Sequence, residues 1–247
     1  MAKVVKEFKG HSGSKVYLME DMDILYVMKI GNVERNIERL KDLHDKGYSV
    51  PKLYCCDEDC VSMEYIHGMD MKNYLIHNNI NQLSQFIIKT LSSFGVSSTS
   101  KYYTDIYDSK ISWIDGTEGF PFKKEELIAR LPEYLPQSTY HGDMTLENIM
   151  SGDDQFYMID AVSIEYDSYI FDIAKMRQDL ECKWFIRNDD VKLDVKLKNL
   201  QDRILEQFPL ANNDYLLILM LLRVYKHTVK GDPEHEFIMK EIKRLWK

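Results

Sequence analysis

The residues best suited to chemistry lie in two short stretches. One is Tyr140-His141-Gly142-Asp143-Met144-Thr145-Leu146-Glu147-Asn148-Ile149-Met150, and the other is Tyr157-Met158-Ile159-Asp160. Four residues separate Asp143 from Asn148, and Asp160 follows Asn148 by twelve. The apolar and aromatic residues ahead of Asp160 read as a buried strand that delivers it. Two carboxylates and an amide oxygen converging from adjacent loops suit a hard, oxygen-seeking cation such as Mg2+. A carboxylate left off the metal can orient or deprotonate a hydroxyl nucleophile. Together these are the parts of phosphoryl transfer. The spacing alone also fits a structural loop in which Asp and Asn cap turns. The order of the other features argues against that reading.

Three of those features lie upstream. Gly10-His11-Ser12-Gly13-Ser14-Lys15 falls between predicted strands Val4–Phe8 and Val16–Met19. Its backbone N–H groups and hydroxyls could cover phosphates, although a Gly/Ser hairpin can be only a hairpin. A third predicted strand, Ile24–Ile30, carries Lys29 among apolar residues. An inward ammonium needs an anionic partner, and triphosphate oxygens would serve; on an edge strand Lys29 would simply face solvent. Met63-Glu64-Tyr65-Ile66-His67-Gly68 ends the last strand of this region, either as an ordinary strand end or as a connection offering backbone groups to a purine.

These residues need a scaffold. A helix is predicted with Val33, Ile37, Leu40 and His44 on one face and Leu43 beside it, stopped by Gly47 with Pro51 beyond. Strands Lys52–Cys56 and Cys60–Ile66 follow, joined by the turn Asp57-Glu58-Asp59. After Gly68 the pattern turns helical, with Leu83, Phe86, Ile87, Leu91 and Phe94 at helical spacing. Residues 95–137 read as irregular, apart from a short helix over 124–131. The aromatics Tyr102, Tyr103, Tyr107 and Trp113 there read as packing ahead of a sugar-stacking surface. From Tyr169 onward the chain reads as helices, with Leu216–Tyr225 buried. The expected fold class is α+β, two-lobed: a small β-rich lobe over 1–66 and a larger, mainly helical lobe over 67–247.

Composition narrows the partners. The chain has 247 residues, 45 % of them apolar and 29 % charged, which excludes a disordered chain. Its net charge of -8 argues against nucleic acid as the main partner. The longest aliphatic run, Leu216–Leu222, is far short of the roughly 20 residues of a membrane span. Met1–Lys6 has no apolar h-region, so a cytoplasmic location is expected. Cys55, Cys56, Cys60 and Cys182 then read as reduced structural thiols, not metal ligands.

Taken in order, the glycine loop, the strand Lys, Met-Glu-Tyr-Ile-x-Gly, His-Gly-Asp-x4-Asn and Ile-Asp resemble the aminoglycoside phosphotransferase and choline kinase group, within the protein-kinase-like fold. His-Gly-Asp, where protein kinases have His-Arg-Asp, favours the small-molecule branch. Arg177-Gln178-Asp179-Leu180, with Trp184 and Arg187 following, looks like kinase-like proteins associated with bacterial surface-polysaccharide synthesis. The resemblance implies ATP and Mg2+ as cofactors and a small-molecule hydroxyl as acceptor, and it sets no oligomeric state. It implies that Asp143 accepts or orients the acceptor's proton and that Asn148 and Asp160 hold Mg2+. Lys29 would reach the phosphates, Ser12, Gly13 and Ser14 would cover them, and the backbones of Glu64 and Ile66 would meet adenine. His141 and Asp172 would brace the catalytic loop. Two departures stand out. The helix that should offer Lys29 a Glu has Asn36 there, flanked by Glu34 and Glu38, and Asp160 is followed by Ala161 where an aromatic is frequent. The competing readings are a protein kinase, disfavoured by the lack of an Ala-Pro-Glu segment, and a nucleotide-binding scaffold with little turnover.

Overall fold

Short strands with β-branched and aromatic residues open the chain and pair antiparallel with their sequence neighbours. In the computed structural model, which describes residues 2–8 and 14–247, these are β1 (Lys3–Phe8), β2 (Lys15–Asp21) and β3 (Ile24–Ile30). β2 and β3 pair without interruption from Lys15↔Ile30 to Asp21↔Ile24. The helix α1 (Glu34–Asp45) follows, then β4 (Leu53–Cys56) and β5 (Cys60–Glu64). The sheet order is β1-β2-β3-β5-β4. Val33, Val61 and Met63 form a buried cluster joined by Val27, Ile37, Leu53 and Cys56, so α1 seals one face of the sheet. Each large aliphatic buried there contributes about 1.5–3 kcal/mol. Leu40 and Leu43 are buried on α1, whereas His44, assigned to the same face by spacing, is exposed.

Beyond the sheet come β6 (Gly68–Asp70) and α2 (Met71–His77), whose N-cap Asp70 accepts from the Asn73 N–H at 2.8 Å. Next are α3 (Asn81–Ser93), β7 (Val96–Tyr102), α4 (Thr104–Ile111), α5 (Lys124–Ile128) and β8 (Tyr134–Ser138). The hairpin β9 (Ile149–Gly152) and β10 (Phe156–Met158) adds β6 to make a small sheet of order β10-β9-β6. The chain ends in α6 (Tyr169–Leu180), α7 (Asp194–Gln207), α8 (Asp214–Tyr225) and α9 (Pro233–Leu245). The described residues thus form the expected α+β fold, with an N-terminal antiparallel sheet and a larger helical part. No helix among them is long and apolar enough to cross a membrane.

The segment expected to be irregular is more regular than its sequence suggests, because β7 pairs with β8 across a long sequence gap. β7 is almost wholly exposed and polar, so it carries no alternating signal. Tyr103 and Tyr107 are fully buried, and their hydroxyls donate to Asp167 Oδ1 (2.9 Å) and the Pro132 carbonyl (3.0 Å). Burial drives the pKa of both phenols far upward, as expected of packing residues.

The chain divides into two compact units. One comprises residues up to Asn78 together with His141–Ile164, and the other comprises Asn79–Tyr140 and Glu165–Lys247. Lys29, Asp143, Asn148 and Asp160 therefore all belong to the first unit.

Candidate active site

The β9–β10 hairpin brings the candidate ligands together. Met158 pairs with Ile149, and the Ile159 N–H extends the ladder to the Asn148 carbonyl at 2.9 Å. Asn148 thus stands opposite Ile159 at the open end of the hairpin, and Asp160 comes next. Asp160 has φ +57°, a left-handed conformation costing about 1–2 kcal/mol in a residue with a Cβ. Such local strain is often stored at functional positions.

His141 and Gly142 shape the loop before the hairpin. His141 is fully buried. Its Nδ1 accepts from the Asp143 N–H (3.3 Å), so its Nε2 carries the proton and donates to the Ile159 carbonyl (3.0 Å). Gly142 has φ +91°, and a Cβ there would collide with the Val162 carbonyl oxygen. The Val162 N–H donates to the His141 carbonyl at 3.0 Å, which holds the two loops this close. Glycine follows His141 because no side chain fits.

Asn148 turns its Nδ2 on Asp143, donating to the carbonyl at 2.8 Å and to Oδ2 at 3.2 Å. That leaves its Oδ1 as an acceptor facing away from Asp143's carbonyl and carboxylate, with no described donor on it. Asp160 Oδ1 accepts from Lys29 Nζ at 2.5 Å and Asn36 Nδ2 at 3.2 Å. Lys29 is only 5 % exposed, so it points inward to a carboxylate of its own chain. Asn36 Oδ1 also accepts from Lys29 at 3.3 Å, while Glu34 and Glu38 are exposed. The position expected to hold a carboxylate is thus filled by a buried amide that still contacts the lysine. Its role is invisible to a search for ion pairs, since the signal is a side chain that can donate and accept at once.

The remaining candidates are dispersed. Ser14 is buried against Gly31, and Ser12 and Gly13 lie outside the described residues. The Glu64 N–H donates to the Lys52 carbonyl at 2.8 Å, so its backbone is partly committed. Ile66 is buried, and neither its N–H nor its carbonyl is taken up by another described residue. Asp172 is buried in the first turn of α6.

Among the described residues no three His, Cys, Asp or Glu side chains form a metal-holding group. The donor set still fits Mg2+. That ion is held through one or two carboxylates plus substrate phosphates and water, not by an all-protein cage. Asp160 and Asn148 supply hard oxygens of this kind, and the Asp160 carboxylate is 47 % exposed.

Burial lowers the His141 pKa below 6.5; the carboxylates of Asp143 and Asp160 and the Ile159 carbonyl oppose this, and Arg39 reinforces it. The unfolded chain therefore binds a proton here before the folded one does. The associated stability is complete above about pH 6.5 and is lost as pH falls below it, with a slope approaching 1.4 kcal/mol per pH unit. Denaturant unfolding of wild type and His141→Gln between pH 5 and 7 checks this. The variant is expected to lack that part of the slope, and identical slopes would show that His141 is not the titrating group.

No protein-family model matches the sequence, and no curated protein does. Solved structures do match over nearly the whole chain. A putative fructosamine-3-kinase from Haemophilus somnus 129PT is 12 % identical, with TM-score 0.64 over 100 % of this chain and 92 % of that one. A thermostable mutant of the aminoglycoside phosphotransferase APH(4)-Ia is 10 % identical, with TM-score 0.66 over 99 % and 94 %. The choline kinase LicA from Streptococcus pneumoniae is 16 % identical, with TM-score 0.58 over 98 % and 94 %. The chain has the kinase-like fold shared by these proteins.

Proposed function

We propose that this protein is an ATP-dependent small-molecule kinase. It would transfer the γ-phosphoryl group to a hydroxyl of a sugar, amino alcohol or related metabolite. The observation that carries the reading is the inward Lys29, 2.5 Å from the carboxylate that ends the catalytic hairpin. An apolar strand turns a cation toward the candidate metal ligands Asn148 and Asp160, near the Asp143 carboxylate. The fold supports the reading: structures similar to this chain include APH(4)-Ia with ADP and hygromycin B, and LicA with AMP.

In this mechanism Asp143 takes the proton of the acceptor hydroxyl while that oxygen attacks the γ-phosphorus. The bond to the β-phosphate oxygen breaks, leaving ADP. Asn148 and Asp160 would hold Mg2+, which would supply charge neutralisation to the phosphates. Lys29 binds the phosphates, Ser12, Gly13 and Ser14 cover them, and the backbones around Glu64 and Ile66 receive adenine. Residues 1–66 supply most of the nucleotide site, and 67–247 supply the catalytic loop and the acceptor surface. Dependence on ATP fits a cytoplasmic location.

The test is ATP consumption against a panel of sugars, amino alcohols and aminoglycosides. Acceptor-dependent ADP release is expected with at least one small molecule. Phosphate appearing on protein instead would favour a protein kinase. Binding of Mg-ATP without turnover on any acceptor would favour a nucleotide-binding scaffold.

A further inference from the structure

We infer that Asn36 is a positioning residue whose amide polarity, acceptor toward Lys29 and donor toward residues 160–161, sets the catalytic arrangement, so that a carboxylate at this position opposes it. The inference rests on the kinase reading for its functional meaning, but its structural half stands alone. Asn36 is 9 % exposed on the face of α1 that meets the 160–163 loop. Its orientation follows from its neighbours. Oδ1 meets the Lys29 ammonium at 3.3 Å, while Nδ2 meets the Ala161 carbonyl at 2.8 Å and Asp160 Oδ1 at 3.2 Å. The flipped amide would set oxygen against two acceptors and NH2 against a cation.

The position differs in kind from a lysine–glutamate pair. A carboxylate has no proton to give the carbonyl of Ala161, a fully buried residue, and buried acceptors left without donors are costly. It would also press a second negative charge on Asp160. The neutral amide leaves Lys29 and Asp160 as a matched pair of charges. The neighbouring Arg35 grips the same loop, donating from Nε to the Ser163 carbonyl at 2.7 Å, and the Ser163 N–H donates to the Arg35 carbonyl at 2.9 Å. Residues 35 and 36 thus mount the start of α1 directly on the loop that begins at Asp160. Outer-shell partners of this kind tune metal ligands by about 10–100-fold in affinity.

Three variants separate the possible roles: Asn36→Asp, Asn36→Ala and Asn36→Gln. If Asn36 only paired with Lys29, Asn36→Asp would match or exceed wild type; if it only filled space, this isostere would surpass Asn36→Ala. Amide polarity predicts the opposite order, with Asn36→Asp the worst and Asn36→Gln retaining most function. Calorimetry with Mg2+ and AMP-PNP is expected to show affinity reduced about 10–100-fold in Asn36→Asp and less in Asn36→Ala. Hydrogen exchange of the Val162 and Ser163 amides in nucleotide-free protein is expected to quicken in both. Asn36→Asp binding as well as or better than Asn36→Ala overturns the inference, as does unchanged exchange. A wild type that binds no Mg-nucleotide would instead sink the kinase reading, and the exchange data would still decide whether Asn36 holds the loop.

Discussion

Replacing Asp143 with asparagine is expected to lower kcat by about 10²–10⁴-fold, the usual worth of a positioned general base. Affinity for a non-hydrolysable Mg-nucleotide should change by no more than about threefold, because the lost interaction belongs to the transition state. The substitution is informative because it changes so little else. The loop around residue 143 is held by backbone groups: the Asp143 N–H donates to His141 Nδ1, and its carbonyl accepts from Asn148 at 2.8 Å. Asn148 also donates to Asp143 Oδ2 at 3.2 Å, which an amide oxygen can accept equally well. Shape and the Asn148 contact survive while basicity is removed. Asp143→Ala leaves Asn148 only the backbone carbonyl of residue 143, without the Oδ2 contact, and so is expected to weaken metal-dependent binding. Steady-state kinetics on the best acceptor, with calorimetry on the same preparations, makes the measurement. A kcat for Asp143→Asn within about threefold of wild type would show that the acceptor's proton goes elsewhere.

Much of this site was legible in the sequence because it is local. His141-Gly142-Asp143-x4-Asn148 and Ile159-Asp160 flank one short hairpin, so spacing along the chain nearly equals arrangement in space. The first sheet was legible for the same reason, since β1 to β3 pair with their immediate neighbours. What depends on distant pairing was not. The direction of Lys29 was undecided from one strand, because it is set by Asp160, 131 residues away, and by α1 covering the sheet. Asn36 looked like a missing ion pair; only the nearness of Ala161 shows why an amide stands there. β7 leaves no trace in the pattern because its residues are polar and exposed, and its partner β8 lies beyond the intervening helices α4 and α5. Hydrophobic period finds faces that bury, and this strand buries almost nothing.

Asp160→Ala is expected to fail in two separable ways, which makes it the sharpest test of the site. On the kinase reading Asp160 is a metal ligand, and its loss should lower kcat/KM about 10³-fold or more, since an ion on a transferring phosphoryl group supplies several kcal/mol. Stability should fall as well. Among the described residues Lys29, 5 % exposed, would keep only the Asn36 oxygen at 3.3 Å, and Asn36 would lose one of its two acceptors. Stripping one partner from a fully buried ion pair costs about 3–5 kcal/mol. The Asp160 carboxylate is 47 % exposed, so water can approach Lys29 once it is gone, and a loss of about 1–2 kcal/mol is expected. The two losses part company in the double variant. Adding Lys29→Met to Asp160→Ala removes the stranded ammonium and should recover most of the unfolding free energy, while activity stays lost. Denaturant titration of the four proteins, wild type, both singles and the double, reads the coupling directly. Additive stabilities would mean that Lys29 and Asp160 do not sustain one another, and the assignment of Lys29 to the phosphate side of the site would fall with them.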